Sequence, residues 1–294
     1  MPQSPIAIDC DAPPFDRFGS IHRLSAERSG HASSDHARHQ LYVGRDRRTR
    51  ANALIKVTSK PGLVYERDLK NEIATLSTIN RELPHSRYFP LVGEHGRLPD
   101  GRVYLTMSYF DEWPVATAIG VERIPARQIA HVRTTIEVAK ALIELHSLEI
   151  WHVDLNPMNI LCRWEDGRPI LRIVDFESSF ETRRHASGDF YNPPTTSGFS
   201  APELSRQRPD GRSDLFSLGA VLYTMLAGYD WKWPEDVRRS VEADRDIDPE
   251  LEEILLTAVD ADPDERFPSI LEFRAALDGY FERIAYVGTP ARSR

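Results

Sequence analysis

The stretch IWHVDLNPMNILC, residues 150–162, sets His152 and Asp154 two positions apart and Asn159 five further on, between apolar neighbours. A turn-forming aspartate and a capping asparagine would explain the two polar residues singly. They would not explain the apolar frame around both, because burying such groups demands specific partners. The stretch therefore reads as a loop fixed between core elements.

Upstream, PARQIAHVRTTIEVAKALIELHSLEI spaces Ile129, Val132, Ile136, Ala139, Leu142 and Ile143 as one long buried helix opened by proline. Downstream, NILCRWEDGRPILRIVDF reads as two short strands joined by an Asp-Gly turn. A polar stretch over 177–200 follows. SDLFSLGAVLYTMLAG is apolar nearly all round, hence an interior helix, and DPELEEILLTAVDA and FPSILEFRAALDGYFERI are two more. Residues 17–111 differ: RHQLYVG, NALIKV and RVYLTMSYF are strand-like, and YERDLKNEIATLSTIN interrupts them with Leu69, Ile73, Leu76 and Ile79 on one helical face. The fold class is α+β: a small sheet with one helix over 17–111 and a mostly helical part over 112–283. The proline-rich residues 1–16 read as a flexible extended arm, and 284–294 as a tail.

The 294 residues carry 37 basic and 45 acidic side chains, a net charge of −8, which argues against a broad basic field for nucleic acid. The local basic run GRDRRTR at 44–50 reads as a solvated turn. No apolar run approaches the ~20 residues of a membrane span, and the opening residues are not expected to act as a secretory signal. Cys10 and Cys162 are too few and too far apart for a disulfide framework. A cytoplasmic location is expected. His22, His31, His36 and His39 lack cysteine or acidic companions at ligand spacing and read as polar strand and loop positions rather than a metal site.

Six marks now stand in chain order: Lys56 in LIK, Glu72 in the first helix, HVDLNPMN, VDFE with Asp175, SAPE ending at Glu203, and SDLFSLG. Together they resemble the eukaryotic-like Ser/Thr protein kinase family over roughly residues 17–283. The resemblance implies a bilobal fold with a nucleotide between the lobes. It implies ATP and Mg²⁺ as cofactors, Mn²⁺ substituting, and transfer of a phosphoryl group to Ser/Thr hydroxyls of a protein substrate. That chemistry needs charge neutralisation on phosphate oxygens and a group that orients the attacking hydroxyl.

Carried over residue by residue, the resemblance gives Lys56 the α- and β-phosphates, held by Glu72, with Glu66 as the fallback partner. Asp154 becomes the catalytic base, Asn159 and Asp175 the metal ligands, and His152 a structural residue beneath the loop. Met107 guards the adenine pocket, and the backbone of Ser108 to Phe110 meets the adenine edge. Thr195 and Thr196 fall in the activation and substrate segment. Glu203 pairs with Arg266, and Asp214 hydrogen-bonds the catalytic-loop backbone.

Four departures stand against the family pattern. Only Gly30 remains where a glycine-rich, phosphate-covering loop is expected. Asn156 replaces a catalytic-loop lysine, so an amide stands where a cation is expected on the γ-phosphate. Glu177 replaces glycine in the Asp-Phe-Gly motif and adds negative charge near the metal. Val153 replaces the arginine that reads a phosphorylated activation loop, which leaves regulation by a protein partner open. The departures motivate an alternative, a pseudokinase acting as a nucleotide-responsive scaffold. A small-molecule phosphotransferase is a third reading, opposed by SAPE and SDLFSLG.

Overall fold

The computed structural model describes residues 8–25, 38–120, 128–185, 198–228 and 236–287. Gly30, Thr195 and Thr196 lie outside them. The chain divides into two units, residues 1–111 with 174–177, and 112–173 with 178–294.

The first unit is built on a five-stranded antiparallel sheet in the order β1-β2-β3-β5-β4. Its strands are β1 (Phe18–Arg23), β2 (His39–Asp46), β3 (Asn52–Thr58), β4 (Val92–Arg97) and β5 (Val103–Ser108), and α1 (Leu63–Glu82) joins β3 to β4. On β3, Ile55 and Val57 are fully buried in a cluster with Ile8, Phe15, Phe18, Leu98 and Tyr104. Strand alternation turns Lys56, between them, to the opposite face. Phe15 meets Tyr104 edge-on, with ring centroids 5.4 Å apart. The expected flexible arm is thus, from residue 8, part of the core: its prolines hide two apolar side chains whose burial is worth about 1.5–3 kcal/mol each.

α1 buries Leu69, Glu72, Leu76 and Ile79. Ile73, expected on that face, is half-buried, and Glu72 takes the inner position. A glutamate on the buried stripe of a helix requires a cation or donors.

The second unit comprises β6 (Trp113–Pro114), α2 (Val115–Gly120), α3 (Gln128–His146), β7 (Ile150–Trp151), β8 (Ile160–Glu165), β9 (Arg168–Ile173), β10 (Phe180–Glu181), α4 (Thr182–His185), α5 (Gly211–Leu226), α6 (Val237–Ala243), α7 (Pro249–Ala258) and α8 (Ile270–Val287). α8 runs past residue 284, so the expected tail begins inside a helix. α3 packs on α5 and α8, and α5 on α7. Gly219 permits the last contact: a Cβ there would come within 2.9 Å of Ala258 Cβ. Asp166 and Gly167, both at positive φ, make the tight turn between β8 and β9. No helix of the described residues is long and apolar enough to cross a membrane.

Candidate active site

In the first unit the site is a buried lysine ringed by acids. Lys56 Nζ donates to Glu72 Oε2 at 2.8 Å and to Asp175 Oδ1 at 3.0 Å. Glu177 Oε1 lies 2.5 Å from the same nitrogen and 2.8 Å from His39 Nδ1. The Lys56 contact is an ion pair by proximity, and the His39 contact is one only when the imidazole is protonated; neither is aligned as a hydrogen bond. Burial opposes the Lys56 ammonium, but Asp175, Glu177 and Glu72 outweigh it and hold the group well above its usual range. Burial likewise opposes charge on Glu177, and Lys56 and His39 reverse the balance, holding its carboxyl below the usual range. For Glu72 burial wins, and its carboxyl is pushed up.

The Asp-Phe-Glu segment is tied to α1. The Phe176 N–H donates to Glu72 Oε1 at 3.2 Å, and Asn71 Nδ2 donates to the Glu177 carbonyl at 2.9 Å. Phe176 is fully buried and packs edge-on against Phe89, centroids 5.9 Å apart. Asp175 holds φ at 68°, a left-handed conformation that non-glycine residues adopt mainly where the surroundings impose it. Glu72 therefore fixes two things at once, the lysine and the start of the segment that carries Asp175. The fallback partner Glu66 is engaged elsewhere, accepting from both Arg97 guanidinium nitrogens at 2.6 and 2.7 Å.

In the second unit the stretch 150–162 is β7, a loop, and β8. Asp214, from the first turn of α5 and fully buried, accepts from the N–H groups of His152 at 2.8 Å and Val153 at 2.7 Å. His146 Nε2 lies 2.9 Å from the same carboxylate. Burial would raise the Asp214 carboxyl, yet His146 and these donors leave it lowered. The grip matters because Val153, a β-branched residue, sits at φ 69°. The Asp154 carbonyl accepts from Asn156 Nδ2 at 3.0 Å and Asn159 Nδ2 at 2.9 Å. Asn156 Oδ1 also accepts from the Met158 N–H at 2.9 Å. Both ends of the buried amide of Asn156, which the resemblance places among the catalytic residues, are used within the loop.

Glu203 and Arg266 form a bidentate pair, Nη2 to Oε2 at 2.8 Å and Nη1 to Oε1 at 3.0 Å. Ser213 Oγ donates to Glu203, Arg266 reaches the carbonyls of Asp260 and Arg212, and its guanidinium lies over Phe216. Met107 is buried on β5. The Ser108 N–H is donated to the Leu91 carbonyl.

The sequence reading missed His39. Its signal was present: β2 and β3 pair with Leu41 opposite Lys56 and His39 opposite Thr58. The strand period of two then puts His39 on the face of Lys56.

Three comparisons bear on this arrangement. The family described as "Protein kinase domain" matches residues 40–273. Ribosomal protein S6 kinase alpha-2 of Homo sapiens is 40% identical over 134 residues, 44% of this chain and 18% of that protein. The serine/threonine-protein kinase Pkn1 of Myxococcus xanthus is 30% identical over 197 residues, 60% of this chain and 27% of that protein. The chain thus matches less than a third of the length of either relative. The PknI kinase domain of Mycobacterium tuberculosis superposes with a TM-score of 0.61 at 21% identity, covering 93% of this chain and 99% of that one. At that identity the superposition speaks for the fold. The family match spans most of the chain and takes in Lys56, Glu72, the 150–162 loop, Asp175, Glu203 and Asp214, and by it this chain belongs to the protein kinase domain family.

Proposed function

We propose that the chain is a Ser/Thr protein kinase that uses ATP and Mg²⁺. The observation that carries the reading is the buried Lys56–Glu72 pair at 2.8 Å. A strand-centre lysine buried against a helix glutamate is costly to desolvate. It is intelligible as a cation pre-positioned for phosphate. In the first unit Lys56 neutralises phosphate charge and Asp175 offers a carboxylate to the metal. In the second, Asp154 orients the substrate hydroxyl and takes its proton.

Asn159 commits its amide nitrogen to the Asp154 carbonyl, which keeps its oxygen as the end a cation takes. Oxygen-only donors fit a hard ion such as Mg²⁺. When bound, that ion supplies charge neutralisation on phosphate oxygens. The likeness to S6 kinase alpha-2 and to Pkn1 supports protein Ser/Thr hydroxyls as acceptors.

A second reading, a nucleotide-responsive scaffold without transfer, draws on Glu177 beside Lys56. Incubation with labelled ATP and Mg²⁺, alone and with a generic basic protein, separates the two. The kinase reading expects label on Ser or Thr, reduced by about 10²–10⁴ in Asp154→Ala. A nucleotide-induced rise in melting temperature with no transfer would replace it by the scaffold. Transfer only to an added small metabolite would replace both.

A further inference from the structure

The Lys56 ammonium has three N–H donors, and three carboxylates surround it: Glu72 at 2.8 Å, Asp175 at 3.0 Å and Glu177 at 2.5 Å. All three carboxylate oxygens lie within 3.0 Å of the ammonium nitrogen. A phosphate oxygen approaching it competes with them for its N–H donors.

The three are not held alike. Glu72 is almost fully buried and also accepts the Phe176 N–H, so its departure would dismantle the segment after it. Asp175 makes an aligned hydrogen bond to the lysine. Glu177 reaches Lys56 and His39 through one carboxylate oxygen, Oε1, without hydrogen-bond alignment. Its backbone is fixed by Asn71, so a side-chain rotation is enough to release it.

We propose that Glu177 is a positioning residue acting through Lys56: a built-in carboxylate, braced by His39, that occupies the anion place on the lysine and must be displaced before a phosphate-bearing nucleotide binds. This deepens the kinase reading and rests on it. The consequence is selective. Phosphate-bearing ligands meet the competing carboxylate, whereas a nucleoside without phosphate does not. If Glu177 holds the lysine about nine-tenths of the time, apparent affinity for the phosphate ligand falls about tenfold.

Calorimetric titration of the full chain with ADP and with adenosine, in Mg²⁺, tests this. Glu177→Gln keeps the shape and removes the charge; Glu177→Gly removes both. Each is expected to bind ADP about tenfold more tightly than wild type and adenosine equally. In a Lys56→Met background the Glu177→Gln gain should vanish, since the coupling runs through the lysine. Where Lys56→Met unfolds the chain, the ADP-to-adenosine contrast in the two Glu177 variants decides alone. Unchanged or weaker ADP binding in both variants overturns the proposal, as does an equal gain for adenosine, which would mark a change of pocket shape. Binding of neither ligand by any form, wild type included, overturns the nucleotide reading itself and this one with it.

Discussion

The surroundings of Lys56 and those of Glu203 solve the burial of charge in opposite ways. Around Glu203 the charges balance: one carboxylate meets one guanidinium, and the remaining polar atoms meet Ser213 and the carbonyls of Asp260 and Arg212. Around Lys56 they do not: one ammonium faces three carboxylates. A balanced pair needs nothing further and behaves as architecture. An acidic excess in a buried place is stable only at a cost, and it is the composition expected where a further cation or a moving side chain belongs to the working state. The difference teaches how to tell a pair that holds the fold from a pair that waits for a ligand.

The same chemical change should therefore act differently in the two places. Breaking the balanced pair has the largest expected effect. Arg266→Ala leaves Glu203 buried and uncompensated, and should lower unfolding free energy by about 3–5 kcal/mol, read from the denaturant midpoint at constant slope. A loss below about 1 kcal/mol would mean that the pair is not the anchor its geometry suggests. Next in size is Asn156→Ala, which removes both hydrogen bonds that its amide makes within the 150–162 loop. It should cost about 1–3 kcal/mol, whereas a residue merely directed at phosphate would lower activity without lowering stability. Smaller again is Glu177→Gln, which relieves the acidic excess. Its expected change is within about 1 kcal/mol of zero, and a loss as large as that of Arg266→Ala would erase the distinction between the two regions.

The legible part of this molecule was the part written locally. Alternation on β3 turned Lys56 away from Ile55 and Val57, whereas helical spacing favoured Ile73 on the inner face of α1 and only the family resemblance pointed to Glu72. The Asp-Gly turn between β8 and β9 was readable from two residues. The apolar frame of 150–162 announced a held loop, and the family resemblance named Asp214 as its holder. What was not legible depends on contacts between distant residues. His39 meets Glu177 across 138 positions (177 − 39), and no local pattern announces that. Glu66 and Glu72 are both acids of one helix; only the strand each faces decides that one meets Arg97 and the other Lys56. Ile8 and Phe15 were masked by prolines that promise an extended chain but say nothing about what the chain lies on. Asn156 was read by what it replaces in the family, and the two loop bonds of its amide were not legible from that.

The smallest expected effect separates Glu66 from Glu72, two of the three glutamates of α1, by acid. Glu66 is buried against the half-exposed Arg97, and its carboxyl is held down at about 2, chiefly by its hydrogen bonds to that guanidinium, from an ordinary value of 4.5. A carboxyl lowered on folding binds fewer protons in the native state than in the unfolded one. Stability then falls with acid. The Glu66 contribution is full above pH 4.5, declines as the pH drops through the interval from 4.5 to about 2, and is gone below it. Glu72 is displaced the other way, its carboxyl pushed up by burial, so it contributes no such decline. Unfolding curves of wild type and Glu66→Gln, followed from pH 6 downward, should converge across that interval, because the wild-type advantage belongs to the ionised pair. Arg97 is about half exposed, so salt should shrink the advantage at pH 6. Parallel curves through the whole interval would show that Arg97 does not hold Glu66 in solution. Glu66 and Glu72 would then no longer differ in the way their partners imply.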